Sequence, residues 1–118
     1  MAAKGFTPAV KAIVYERAGG LCERCGNHHT DVQYHHRRPR GSGGSRRADT
    51  NLPANCLLLG ASCHHATEMG RTTAYEFGWL VRQGHNPSEV PVFRRGAWVL
   101  LDNDGGFERV PAPTQEAG

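Results

Sequence analysis

Apolar positions along the chain fall into short clusters separated by polar, glycine-rich stretches, and their spacing changes along the chain. Val10, Ile13, Val14 and the stem of Arg17 repeat at three and four residues, which predicts one face of a helix. Thr7-Pro8 supplies a capping hydroxyl and a first-turn proline, and Gly19-Gly20 ends the pattern. Val32-Gln33-Tyr34-His35-His36 has strand propensity, and a Gly-, Ser- and Arg-rich loop fills 37–50. After Asn51-Leu52-Pro53-Ala54-Asn55 comes the apolar Leu57-Leu58-Leu59. A second short helix is expected from near Ser62 or Cys63 through Glu68, stopping by Gly70. Ala74-Tyr75-Glu76-Phe77 predicts a helical turn. Val90-Pro91-Val92-Phe93 and Ala97-Trp98-Val99-Leu100-Leu101 predict a C-terminal β-hairpin, with a further turn at Asn103-Asp104-Gly105-Gly106. Trp79, Phe93 and Trp98 read as core rather than as stacking platforms for bases. The class is α+β. A single domain over 1–118 is expected, with a core at 22–69, an extension at 72–110 and a frayed tail at 111–118.

Composition sharpens this. With 38% hydrophobic residues, 15 glycines and 7 prolines in 118 residues, the core is lean, and such a chain gains from a staple. Four cysteines and seven histidines offer the material. No apolar run approaches the roughly 20 residues of a membrane span, and Met1-Ala2-Ala3-Lys4-Gly5-Phe6-Thr7-Pro8 has no apolar signal core. The expectation is a cytoplasmic protein without a membrane partner, whose cysteines are thiolate ligands rather than disulfides.

Charge is uneven. Residues 1–59 carry nine basic and four acidic side chains, and 60–118 carry five and seven. Arg37, Arg38, Arg40, Arg46 and Arg47 lie close together with no acid between them. A guanidinium fork donates two parallel hydrogen bonds to phosphate, so these five are candidates for holding a phosphate backbone, against the plainer reading of a solvated loop whose charges do little.

Cys22 and Cys25 are two residues apart with Gly26 behind them, a spacing that aims two sulfurs at one tetrahedral ion. Cys63, opening the second helix, adds a third ligand for a structural zinc. Cys56 is the chemical favourite for the fourth, although it reads equally as a buried thiol in the Cys-Leu-Leu-Leu run. His28, His29 and His65 are substitutes, and these three and His85 otherwise read as surface side chains. A thiol-redox pair at Cys22 and Cys25 is a weaker reading of the same motif.

His35-His36-Arg37-Arg38-Pro39, Gly43-Gly44, Asn55, Leu57-Leu58-Leu59 and Cys63-His64 together resemble the HNH endonuclease family over roughly 22–69. The segment from Gly78 to Gly84 is similar to small HNH proteins of phage or prophage origin. The resemblance implies a ββα-metal (His-Me finger) core. It implies His36 as general base, His35 and His64 as ligands of a catalytic divalent ion, and Asn55 as the residue that orients the base. Glu68, one turn beyond His64, can add an oxygen ligand and favour Mg²⁺ or Mn²⁺, with Ni²⁺ a further candidate. The chemistry suits hydrolysis: imidazole titrates near neutrality, and a divalent ion neutralises charge on the phosphate. Asn55 also reads as a plain turn residue, and Gly43-Gly44 as a hairpin tip or a close approach to phosphate. The implied activity is one-metal cleavage of DNA to a 5′-phosphate and a 3′-hydroxyl, with low sequence specificity or nicking.

Adjacent strand residues face opposite ways, so His35 and His36 can share one task only where the strand ends or twists. The family often carries a cysteine at the position of Gly60. Its loss here raises a competing expectation: a non-catalytic zinc module that binds nucleic acid or a partner such as a phage terminase or another packaging protein.

Overall fold

The computed structural model describes residues 5–40 and 47–114. Its elements in order are α1 (Pro8–Ala18), β1 (Val32–His36), β2 (Cys56–Gly60), α2 (Ala61–Met69), α3 (Arg71–Glu76), β3 (Val92–Arg94), β4 (Ala97–Leu101) and β5 (Phe107–Arg109). Short 3₁₀ turns at Pro53–Asn55 and Pro87–Glu89 lead into β2 and β3. The result is a compact α+β fold with two small sheets. No helix among the described residues is long and apolar enough to cross a membrane. Gly43, Gly44 and Arg46 lie outside the described residues.

Helix α1 starts and stops as its sequence dictates. The Thr7 hydroxyl accepts from the Val10 N–H at 3.2 Å, and Gly19 closes the helix in the left-handed region at φ 65°. Its buried residues, Val14 and Ala18, face the first sheet.

Strand β2 explains the unbroken apolar run. All five of its residues are buried, because both faces of the strand are covered. Leu57 and Leu59 join Cys22, Trp79, Leu80, Val92, Val99 and Leu101 on one side. Cys56 and Leu58 join Phe6, Val14 and Ala18 on the other. The first group spans both halves of the chain, so the C-terminal segment completes the core. The expected β-hairpin there is a three-stranded antiparallel sheet, β3-β4-β5. Strand β5 escaped the pattern because its three residues are exposed and give no apolar alternation.

Two arginines read as phosphate ligands are consumed by the fold. Arg37 is fully buried and donates to the carbonyls of Ala54, Gly78 and Pro87 at 2.9 Å each and of Val90 at 2.8 Å. Arg38, 1% exposed, pairs with Asp49 and donates to the His85 carbonyl at 2.7 Å. Arg37 thus stitches the loop after β1 to the segments on either side of the second 3₁₀ turn. Replacing it with methionine strands buried acceptors and is expected to cost about 3 kcal/mol or more in urea unfolding. Asp49 is held below its usual carboxylate range chiefly by hydrogen bonds from Arg38.

Glu23 ties the remaining pieces together. It is 1% exposed and receives Arg17 at 2.7 Å, Arg94 at 2.8 Å and the Leu58 N–H at 3.0 Å. Burial raises its pKa, but the guanidinium of Arg17 and the hydrogen bonds outweigh this and keep it ionised.

Candidate functional site

Two clusters of potential metal ligands flank α2. The first gathers Cys22, Cys25, His29 and Cys63, with one ligand atom from each lying within 4.8 Å of all the others. The turn 22–25 and the start of α2 supply the sulfurs, and His29 Nε2 stands 3.2 Å from Cys25 Sγ. Three thiolates and an imidazole are the donor set of a closed tetrahedral zinc site, so this cluster could hold a metal such as zinc. All four cysteines are free thiols.

The fourth position corrects the expectation for Cys56. Cys56 follows Asn55 into β2 and points to the Phe6–Val14 side, whereas Cys22 packs with Leu57 and Leu59 on the other. Strand alternation therefore turns its sulfur away from the cluster. Burial pushes its thiol pKa well up, as suits a packed neutral group.

His29 takes the place instead, and Gly60 is the reason it can. A Cβ at residue 60 would lie 2.1 Å from the His29 ring. The ring thus fills the space that a side chain at 60 would need. In sequence the signal was available: Cys22-x-x-Cys25 is followed four residues later by His29, and residue 60 is glycine.

The cluster's electrostatics fit a cation. For Cys22, burial raises the pKa, but backbone N–H groups of Cys25, Gly60 and Arg24 stabilise the thiolate and hold it, on balance, below the usual thiol range. Cys63 is pushed up to about 12, first by burial and then by the neighbouring sulfurs of Cys22 and Cys25. Several sulfurs cannot share one site as thiolates without a positive charge between them. Arg95 braces the turn from below, donating to the carbonyls of Ala18, Leu21 (2.9 Å) and Cys22 (3.2 Å). It does so from a backbone at φ 52°, which a side chain seldom adopts. No sequence pattern marked this residue.

The second cluster comprises His35, His64 and Glu68, again with ligand atoms within 4.8 Å of one another. His35 lies on β1, and His64 and Glu68 are one turn apart on α2. His35 Nε2 meets the Trp79 carbonyl at 2.7 Å, so that nitrogen carries the hydrogen and Nδ1 keeps its lone pair. His64 Nδ1 meets Gln33 Oε1 at 2.6 Å, which leaves the lone pair on Nε2. Those two free nitrogens stand 3.6 and 3.9 Å from Glu68 Oε1. Each imidazole is tethered by one nitrogen and offers the other inward, the arrangement of metal-bound histidines. Burial, chiefly, drops the His35 pKa to about 4, so it is neutral at physiological pH, as a ligand must be. A shallow cavity of about 330 Å³ opens beside this cluster, lined by Gln33, Ala61, His64, His65 and Glu68.

His36 and Asn55 stand outside that group. His36 pairs with Cys56 at the last rung of the β1–β2 ladder and takes the opposite face from His35. Its ring stacks on Phe6 with centroids 3.9 Å apart, and Nε2 meets Asn51 Oδ1 at 2.8 Å. Burial first, and the charge of Arg40 after it, lower its pKa despite the Asn51 bond.

The expectation that Asn55 orients His36 is corrected. Its amide is spent on backbone, accepting from the Arg38 N–H at 2.7 Å and donating to the carbonyls of Arg38 and Thr50. A fully buried amide must satisfy all its groups, and here it pins both ends of the loop between β1 and the first 3₁₀ turn. Asn51 is the asparagine that touches the histidine.

The other expected residues divide simply. Arg40 is exposed, and Arg47 is exposed with a partner of its own. His28, His65 and His85 are exposed, as read. Trp79 sits in the core, with Phe77 stacked on it and Trp98 beyond. Comparison with protein-family models, curated proteins and solved structures finds no match to this chain.

Proposed function

We propose that the chain is a metal-dependent DNA endonuclease of the HNH type, built on a ββα-metal unit formed by β1, β2 and α2. One observation carries the reading: His35, His64 and Glu68 converge, with each histidine tethered so that its free nitrogen faces the carboxylate. Two imidazoles and a carboxylate with open solvent on one side fit a hard or borderline divalent cation such as Mg²⁺, Mn²⁺ or Ni²⁺. When bound, that ion supplies Lewis-acid stabilisation of charge on a phosphodiester.

The chain's own residues do the rest. His36 is the general base: it stands on the last rung of β1, where the strand ends and a base on the face opposite His35 reaches past the edge to water at the cluster, with its Nε2–H held by Asn51 and its ring plane by Phe6. It removes a proton from water as the water attacks phosphorus; the bond from phosphorus to the 3′-oxygen breaks and that oxygen takes a proton from solvent, giving a 5′-phosphate and a 3′-hydroxyl. Asn55 and Arg37 shape the loop beyond β1 rather than touching substrate. The cysteine–histidine cluster holds structural zinc and fixes the start of α2, on which His64 and Glu68 ride. Nothing among the described residues resembles a base-reading helix, and low sequence specificity or nicking is expected.

The competing reading, a non-catalytic zinc module acting with a packaging protein, drew its support from the missing cysteine at 60. With the His29 ring in that space, the ligand set has four members and that support falls away. The test is conversion of supercoiled plasmid to nicked or linear form with Mg²⁺, Mn²⁺ or Ni²⁺. Wild type should cut with at least one ion, and His64→Ala should drop to background while keeping its thermal melt. Absence of cutting by folded, zinc-loaded wild type with all three ions would reject the proposal.

A further inference from the structure

With Arg37 and Arg38 buried, two of the five expected cations are lost to a DNA backbone. Exposed cations with donors to spare lie next to the His35–His64–Glu68 cluster. Arg71 opens α3 directly after α2, and its Nη1 stands 3.0 Å from Glu68 Oε2, the carboxylate oxygen turned away from the imidazoles. Its other arm reaches the Tyr75 hydroxyl at 3.3 Å. Arg82 is exposed and lies over the same Tyr75 ring, 4.2 Å from its centroid, against 5.8 Å for Arg71. The Arg82 carbonyl accepts from the His85 N–H at 3.3 Å, while its guanidinium makes no hydrogen bond or ion pair among the described residues. Gln83 Nε2 donates to the Pro39 carbonyl at 2.6 Å, which brings this segment beside the exposed Arg40. A cavity of about 180 Å³ lined by Tyr75, Arg82 and His85, among others, borders the pair.

We propose that Arg71 and Arg82, ordered by the Tyr75 ring between helix α3 and the segment after Leu80, form the surface that holds the phosphodiester backbone beside the candidate metal site. The proposal rests on the nuclease reading and names the substrate-holding residues for it. The Tyr75 ring under Arg82 restricts that guanidinium without using its N–H donors, which remain for phosphate oxygens, whereas Arg71 has one N–H on each arm engaged and offers the others. Arg71 spends one arm on Glu68, so a single side chain joins a metal ligand to the backbone-binding surface. The acidic neighbours on these two helices are Glu68 and Glu76. Glu68 is engaged by Arg71 and the imidazoles.

The experiment is fluorescence anisotropy of a labelled duplex of about 20 base pairs, titrated with zinc-loaded full-length protein without added divalent cation, at several salt concentrations. Each lost phosphate contact lowers the slope of log K against log salt by about 0.9. Arg82→Gln, which leaves Glu68 and its partners in place, should reduce the slope by about 0.9, and Arg71→Gln/Arg82→Gln by about 1.8. Arg109→Gln, on the exposed β5, should leave it unchanged. Salt-dependent binding by wild type with the same slope in the double variant would overturn this proposal and spare the nuclease reading. Wild type that binds no duplex even at low salt would overturn both.

Discussion

Substitution of His36 by alanine is expected to slow plasmid cleavage by about 10²–10⁴-fold, the usual worth of a positioned general base. The ring lies between Phe6 and the Asn51 amide, so its orientation is set before any substrate arrives. Asn51 Oδ1 takes the Nε2 hydrogen, and the tautomer that results presents Nδ1 as the proton acceptor. His36 belongs to neither ligand cluster, so His36→Ala should bind zinc and a second divalent ion as wild type does. A control separates the base from the packing: Asn51→Leu keeps the ring but frees its tautomer, and should reduce the rate less than His36→Ala. Rates are read as initial nicking velocities at saturating metal. Cleavage by His36→Ala at the wild-type rate would show that another group removes the proton.

The zinc proposed for the cysteine–histidine cluster gives the second large expected effect. Structural zinc in small domains contributes apparent binding energies of about 10–16 kcal/mol, so stripping it with a strong chelator should unfold the protein. His29→Ala leaves three sulfurs and a gap, and zinc affinity should fall by more than about 100-fold, beyond what loss of an outer partner costs. The space vacated by the ring is the space a side chain at 60 needs, since a Cβ there would stand 2.1 Å from it. His29→Ala/Gly60→Cys should therefore regain zinc through a second Cys-x-x-Cys pair ending at Cys63. Gly60→Cys alone should be destabilised by the clash. Zinc content after dialysis against chelator, together with the melting temperature, reads all three variants. Undiminished zinc retention by His29→Ala would remove His29 from the ligand set.

The sequence pattern was most legible where local chemistry acts alone. Thr7, Pro8 and Gly19 fixed the limits of α1, and Gly70 ended α2, because caps act through neighbouring backbone groups. The Cys22–Cys25–Cys63 core of one cluster and the His35–His64–Glu68 set of the other could be chosen from spacing and resemblance. What stayed hidden depended on which face a side chain takes and what covers it. Cys56 and Leu57 differ by one position in a strand buried on both sides, and only the packing of Phe6 against one side and Trp79 against the other decides where the sulfur goes. Arg37 and Arg38 read as a solvent-facing basic run because no local signal announces that distant carbonyls will enclose them. Asn55 and Asn51 are chemically alike, and long-range contacts alone give the buried loop anchor to one and the histidine partner to the other.

Helix α2 carries ligands of both clusters, Cys63 for one and His64 and Glu68 for the other. Zinc held as proposed would fix the helix start through Cys63, and the next residue, His64, with Glu68 a turn later, converges with His35 of β1. Loss of zinc should therefore abolish cleavage even where the second cluster's residues are intact.

Anomalous diffraction from a crystal of the zinc-loaded protein soaked in Mn²⁺ would locate both ions. A manganese peak bonded to His35 Nδ1, His64 Nε2 and Glu68 Oε1 is expected, separate from zinc held by Cys22, Cys25, His29 and Cys63. Manganese bound elsewhere, with those three atoms left without an ion, would contradict the proposed metal site.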